Sequence, residues 1–442
     1  MRLLRILGLW FGLAVTVGNT IGGGILRTPG SIAQLLPHET FFVGIWLIGA
    51  LYALLGANAL SELGTMLPRS GGQFIFARHA FGDYAAFVVG WMDWISTCAS
   101  TAAIGVVLGA SISAVFGQPL SLGPHIATAI VALFTLLLVT GTSVGDGAQR
   151  LTSLLKALAL MALVAACLFT RGQPPAPSTT AAVAPAATGF AAFLLAAQAV
   201  IYTYDGWSAP IYFSEELNNP DRDIPRSMFY GLASVALIYI LINIAFVRAL
   251  PLSTLATSEL PAATVASSLF GAKGALLVRI VVIVSLPSAV NACLLMASRV
   301  IFALSRDGLG LPNLTKIGRG GAPSLALVAG AAVTVAFLQT GTFDQIIAIA
   351  AFFFVASYTL SFMAVFLLRR REPNARRPFR AVGHPWTTGF VLVGSLAFLI
   401  SAIVSDRRNS AIALGILVLS YPVFRLARQP LPVPSADPYV SQ

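Results

Sequence analysis

Four glycines fall within seven residues, Gly18-Asn19-Thr20-Ile21-Gly22-Gly23-Gly24, inside the first long apolar stretch of the chain. Residues 6–17 and 25–36 on either side are apolar enough to lie in a bilayer. The segment between them holds a helix poorly, because each glycine costs about 1 kcal/mol relative to alanine in a helix interior. A membrane-embedded backbone unwinds at mid-depth only where protein or a water-filled cavity satisfies its freed amides and carbonyls. The break therefore points to a binding site, not to a passive anchor.

Composition places the whole chain in a membrane. It is 57% hydrophobic and 10% charged, with a mean hydropathy of +0.85. Crossing a hydrocarbon core of about 30 Å takes roughly 20 helical residues. Twelve such stretches are predicted, near 8–36, 41–66, 86–114, 125–141, 150–170, 189–216, 227–249, 272–304, 323–340, 343–368, 387–404 and 410–426. The net charge of +11 does not imply nucleic acid, because the basic residues alternate in sidedness. One set of connections carries Arg2, Arg5, Arg69, Arg78, Arg150, Arg222, Arg226, Arg306, Lys316, Arg319, Arg369–Arg371, Arg376, Arg377, Arg380, Arg425 and Arg428. The opposite set offers Arg171, Arg248, Arg407 and Arg408. The positive-inside rule then puts both termini in the cytoplasm of a multi-pass inner-membrane protein. The first span is too long for a signal peptide and lacks a small-residue cleavage pattern, so it is expected to be retained.

A Pro-, Ala- and Thr-rich connection at 172–188 divides ten spans into five and five. The predicted organisation is a first repeat at 1–171, that connection, a second repeat at 189–368, a basic loop at 369–386, two accessory spans at 387–426 and a tail at 427–442. The loop and the tail read as solvated segments. The first span of the second half is interrupted too, at Tyr204-Asp205-Gly206-Trp207-Ser208. Paired interruptions in matching positions are the best sequence pointer to an inverted-repeat transporter with its site at the breaks.

Amides at a half-helix start favour an anion, so Gly22, Gly23 and Gly24 could receive a carboxylate. Close packing of small residues between helices is the alternative. Carbonyls released at the end of 189–203 suit an ammonium group, Asp205 adds a full charge, and Tyr204 and Trp207 could bound the pocket. Arg27 lies at a similar depth to Asp205 by span counting, so an Arg27–Asp205 ion pair competes with substrate contact as the role of Asp205. Lys156 lies about two turns into the fifth span, roughly 9 Å from its end. It either fills a position where sodium would bridge two bundles or snorkels to the interface.

Enzymatic chemistry finds little support. Glu62, Asp93 and Asp344 lie in or at the edges of spans, with Glu62 placed at the interface. His38, His79, His125 and His384 sit at span ends or in loops, and no metal-ligand spacing occurs. Cys98, Cys167 and Cys293 fall within apolar spans without disulfide spacing, and no cofactor is implied. Gly141-Thr142-Ser143-Val144-Gly145 matches a nucleophile elbow but lacks the preceding strand and a reachable histidine.

These residues resemble the amino acid–polyamine–organocation transporters, closest to the L-type amino acid transporter branch and its bacterial relatives. The family's first unwound segment is similar to Gly18–Ile25. The segment after its second span resembles Glu62-Leu63-Gly64-Thr65 with Pro68-Arg69-Ser70-Gly71-Gly72. Its sixth span resembles Tyr204-Asp205-Gly206-Trp207, then Glu215-Glu216, Asn219-Pro220 and Ile224-Pro225-Arg226, and its eighth resembles Val290-Asn291, Ser298-Arg299 and Arg306-Asp307-Gly308. The resemblance covers residues 8 to about 312 and implies an all-α LeuT-type 5+5 inverted repeat with spans 1 and 6 discontinuous. It implies L-amino acid exchange or uptake by alternating access, with Val17, Asn19 and Thr20 joining the glycines and the second break at the site. Lys156 with the Ser285 hydroxyl then looks like a substitute for a sodium ion, giving sodium-independent transport. The outer loop Phe116 to Pro124 lacks the cysteine by which eukaryotic members join a glycoprotein, so no disulfide-linked subunit is expected. Arg27 departs from the branch pattern and bears on which side chains are accepted. Proton-coupled symport and polyamine–amino acid antiport are neighbouring alternatives, separable by uptake driven by a pH gradient alone. A transporter-like nutrient sensor, which would show no counterflow, and a membrane-embedded enzyme are the alternatives of different class.

Overall fold

A computed structural model describes residues 7–69, 71–140, 146–169, 188–318 and 323–427. Residues 172–187 of the expected 172–188 connection, the Gly141–Gly145 elbow match and residues 428–442 of the expected 427–442 tail lie outside the described residues. The first helices are α1 (Leu9–Thr20), α2 (Gly24–Leu35), α3 (Glu39–Met66), α4 (Gln73–Phe81), α5 (Asp83–Val115), α6 (Gly123–Val139), α7 (Asp146–Phe169) and α8 (Gly189–Tyr204). A 3-10 turn, Ala209–Phe213, precedes α9 (Pro220–Ala249), α10 (Leu252–Ala256), α11 (Pro261–Arg306) and α12 (Ser324–Thr340). Then follow α13 (Phe343–Arg371), α14 (Trp386–Ser405) and α15 (Arg407–Ala427). α11 is broken at Gly271, whose φ of +64° only glycine adopts readily.

Eight helices, α6 counted together with the 3-10 turn Leu120–Leu122 before it, are long and apolar enough to cross a bilayer singly, and the α1–α2 pair, bent by about 40°, makes a ninth crossing by length and composition. The other three expected spans coincide with α7, α8 and α12; the 154–169 stretch of α7 and all of α12 are apolar but shorter, and α8 has 16 residues. Burial sorts the crossings into layers. The most apolar windows of α13 and α5 are 83% and 67% buried, against 28% for α14 and α15, so α5 and α13 form the inner wall and the last two helices face lipid.

Close approach is bought with small residues. A Cβ on Gly12 of α1 would collide with Ser227 of α9, and one on Gly231 of α9 would lie 2.6 Å from Thr16 of α1. A short backbone pairing ties the start of α1 to the segment beyond α8. The Leu7 amide donates to Glu216 O at 2.9 Å, and the Asn218 amide donates to Leu7 O at 2.8 Å. This fastening holds the two interrupted regions side by side.

The basic loop differs from its expected solvated form. Arg369–Arg371 complete the last turn of α13, and residues 372–385 fold back onto α3. Glu62, 1% exposed, accepts from Arg369 at 2.8 and 2.6 Å and from the Ala381 amide at 2.7 Å. The Arg377 guanidinium, 4% exposed, lies 3.2 Å from the same carboxylate and donates to Leu368, Glu372 and Ala375 carbonyls. Asn58 exchanges two hydrogen bonds of 2.9 Å with the Val382 backbone. In the same loop His384 is held below its ordinary pKa, first by burial and then by the nearby Arg369 charge.

Glu62→Ala leaves Arg377 buried without its carboxylate. Breaking a buried ion pair costs roughly 3–5 kcal/mol. Thermal unfolding of the purified protein should show a melting temperature lowered by several degrees, with Glu39→Ala, at an exposed position, unchanged.

Candidate functional site

The two interruptions face one cavity of about 70 Å³, room for several waters or a small polar ligand. Its wall includes Asn19, Thr20, Gly22, Gly23 and Gly24 from the first break and Asp205, Gly206 and Ser208 from the second. The Gly22 amide closes a turn onto Thr20 O at 2.8 Å, and α2 then begins at Gly24 with Gly23 as N-cap. The first amides of an α-helix have no acceptor within it, so they face the cavity with the positive end of the helix dipole behind them.

Gly206 makes the second break possible. Its φ is +113°, and a Cβ there would lie 2.8 Å from the Asn19 carbonyl carbon and the Thr20 nitrogen. The carbonyls that end the two half-helices share one donor. The Tyr239 hydroxyl of α9, fully buried, donates to Thr20 O at 2.6 Å and to Thr203 O at 3.2 Å.

Asp205 is the C-cap of α8, with extended backbone that turns its carboxylate toward α13. It accepts a hydrogen bond from the Tyr358 hydroxyl, and the Tyr358 ring stacks on Trp207 at 4.9 Å between centroids. The expected Arg27–Asp205 ion pair does not form. The Arg27 guanidinium lies over the Phe343 ring, 4.7 Å from its centroid. Positions 343 and 358 are about 22 Å apart along α13 at 1.5 Å per residue, so the two charges address opposite parts of that helix.

Other expected residues lie behind the wall. The Tyr204 ring packs in a cluster with Trp46 and Tyr239, Trp207 sits beneath Tyr358, and Val17 O accepts the Ile21 amide at 2.9 Å. None of the three lines the cavity. Lys156, 4% exposed, donates to Gly18 O at 3.3 Å in α1 and does not reach toward the interface. Ser285 borders the same neighbouring cavity as Lys156; its hydroxyl donates to Val281 O at 2.6 Å, and the lysine donates to Gly18 O.

The wall also holds Gln73, Tyr212 and Met296, which the sequence does not single out, with the span carboxylate Asp93 behind Tyr212. Gln73 of α4 accepts from Ser361 at 3.0 Å, Tyr212 donates to Asp93 of α5 at 2.8 Å, and the Asn19 amide lies 3.2 Å from the Met296 sulfur. Asp93 is 2% exposed and ten residues into α5, about 15 Å from its start. That depth was the available signal for it.

An all-helical membrane body with two interrupted helices closed around a polar cavity is the architecture of a secondary transporter. The sequence profile of the amino acid permease family matches residues 7–420. The chain is 27% identical to the serine/threonine exchanger SteT of Bacillus subtilis over 424 residues, 95% of each chain. It is 25% identical to the mouse (Mus musculus) b(0,+)-type amino acid transporter 1 over 428 residues, 94% of this chain and 86% of that one. It is also 25% identical to the human cystine/glutamate transporter over 435 residues, 96% of this chain and 86% of that one. The chain belongs to the amino acid permease family, within the amino acid–polyamine–organocation superfamily and close to its L-type branch.

Gly206→Ala places a methyl group against the Asn19–Thr20 backbone and strains a positive φ. The expected result is a folded protein whose melting temperature no longer rises with amino acids that stabilise the parent, since only a ligand that binds the native state produces that rise.

Proposed function

We propose that this protein is a secondary transporter of the cytoplasmic membrane that exchanges or imports L-amino acids by alternating access, without sodium. The single observation that carries the reading is the meeting of a helix start, Gly23–Gly24, and a carboxylate, Asp205, on the wall of one cavity. An amino acid offers the complement: a carboxylate for the first amides of α2 and an ammonium for the carbonyl ends of α1 and α8. Asp205 is the one charged side chain on the described wall, so the cavity has a net negative character that favours a cationic side chain beside neutral ones. The names of the relatives, a serine/threonine exchanger and a b(0,+)-type transporter, support amino acids as the substrate class.

Lys156 takes the part of a coupling cation in this reading. Its ammonium fastens α7 to the Gly18 carbonyl beside the break, which supports a fixed positive charge in place of a bound ion. The ten spans through α13 act as two inverted five-span repeats joined at 172–188, with α14 and α15 accessory. The arginine distribution supports cytoplasmic termini. The cysteine-free loop 116–124 supports function without a disulfide-linked subunit. Proton-coupled uptake is the second reading, favoured by Asp93, a buried carboxylate joined to the cavity through Tyr212.

In proteoliposomes, Asp205→Asn should lower uptake of cationic amino acids at least about tenfold relative to neutral ones, the scale of a hydrogen bond to a charged group. Equal uptake of both classes, as in the parent, would leave Asp205 a purely structural residue. Lys156→Ala should abolish sodium-independent exchange; full activity would sink the fixed-cation reading. Uptake into vesicles free of internal amino acid, driven by an imposed pH gradient, would favour proton coupling over exchange.

A further inference from the structure

A second cavity, of about 300 Å³, lies between α7, α11 and the start of α2. Its floor holds Lys156 and Ser285, and its sides are aliphatic, with Ala159, Leu163, Val278 and Val281 among them. It runs along α11 from Ser285 to Gly274, about 16 Å at 1.5 Å per residue, and its rim carries Phe270 and Leu277, 53% and 63% exposed on the lipid side. Gly22 borders both this cavity and the polar one, so a single turn of backbone separates them.

The chemistry of this space is lopsided. An ammonium has three N–H donors. Gly18 O takes one at 3.3 Å, and the lining supplies one further polar side chain, Ser285, whose oxygen can accept a second, so at least one N–H is left for an anion. A buried charge without a counterion is costly. A water-filled vestibule for a zwitterion would carry several polar groups; this lining is that of an acyl-chain slot with one cation at its closed end. Its length of about 16 Å along α11 accommodates an extended single chain of about ten carbons.

We infer that this cavity is a binding site for a single-chain aliphatic carboxylate, its tail entering from the bilayer past Phe270 and Leu277 and its carboxylate accepting hydrogen bonds from Lys156. The site needs Lys156 as an anion partner and is independent of the fixed-cation reading, so either can fail alone.

The test is photolabelling of the full-length protein in lipid nanodiscs with a diazirine-bearing decanoic acid, read by peptide mass spectrometry. Label is expected on residues 154–166 and 274–285. Excess decanoate should displace it at least tenfold more effectively than 1-decanol or decyltrimethylammonium. Ala159→Phe, which fills the space one turn from Lys156, and Lys156→Met should each abolish that label. Ala162→Phe serves as a second filling variant should Ala159→Phe fail to fold. An amino-acid-induced rise in melting temperature in a filling variant verifies folding. Equal competition by the alcohol, label spread evenly over α6, α14 and α15, or label retained in the folded filling variant would overturn the proposal.

Discussion

One phenol holds the centre of this molecule together. Where α1 and α8 stop, each leaves carbonyls without helical partners, deep in a body that has no bulk water to satisfy them. The Tyr239 hydroxyl reaches both ends at once, through Thr20 O and Thr203 O. Gly206 allows the two chains to come within van der Waals contact, and the phenol supplies the donor that makes the contact tolerable. The polar cavity, the turn of Asp205 toward α13 and the start of α2 at Gly24 all depend on that junction.

Around it, the structure separates rigid from adjustable packing. α5 and α13 are buried along most of their apolar length and present Thr97, Ser100, Phe354 and Tyr358 to the cavity from a fixed wall. α1 packs against α9 through paired glycines, Gly12 against Ser227 and Gly231 against Thr16, where contact is close. At the arginine-rich end, Glu62 gathers Arg369, Arg377 and the Ala381 amide into a network that closes the loop over α3.

What the sequence made legible follows from how local each signal is. The interruption at Gly18–Gly24 is written in glycines whose effect is felt within one helical turn, and it appears where expected, between Thr20 and Gly24. The second appears with its cap at Asp205 for the same reason. Span counting gives depth along the membrane normal but not direction around a helix, so it offers an Arg27–Asp205 pair as one of two roles for Asp205, whereas the two side chains face Phe343 and Tyr358. The same gap hid Trp207 and Tyr204 behind the wall. Tyr239 stands 219 positions from Thr20, and no spacing rule links them. The loop at 372–385 misled through composition: its arginines read as solvated, whereas Glu62 gives them a buried partner far away in sequence.

The backbone pairing at Leu7 carries a mechanical meaning. Two hydrogen bonds, Leu7 N to Glu216 O and Asn218 N to Leu7 O, clamp the foot of α1 to the strand-like segment after the second break. A hinge at either break alone would have to shear that clamp. The foot of α1 and the segment after the second break are therefore tied into one mechanical unit, and the Gly206 contact with Asn19 and Thr20 ties the other end of α1 to the same break.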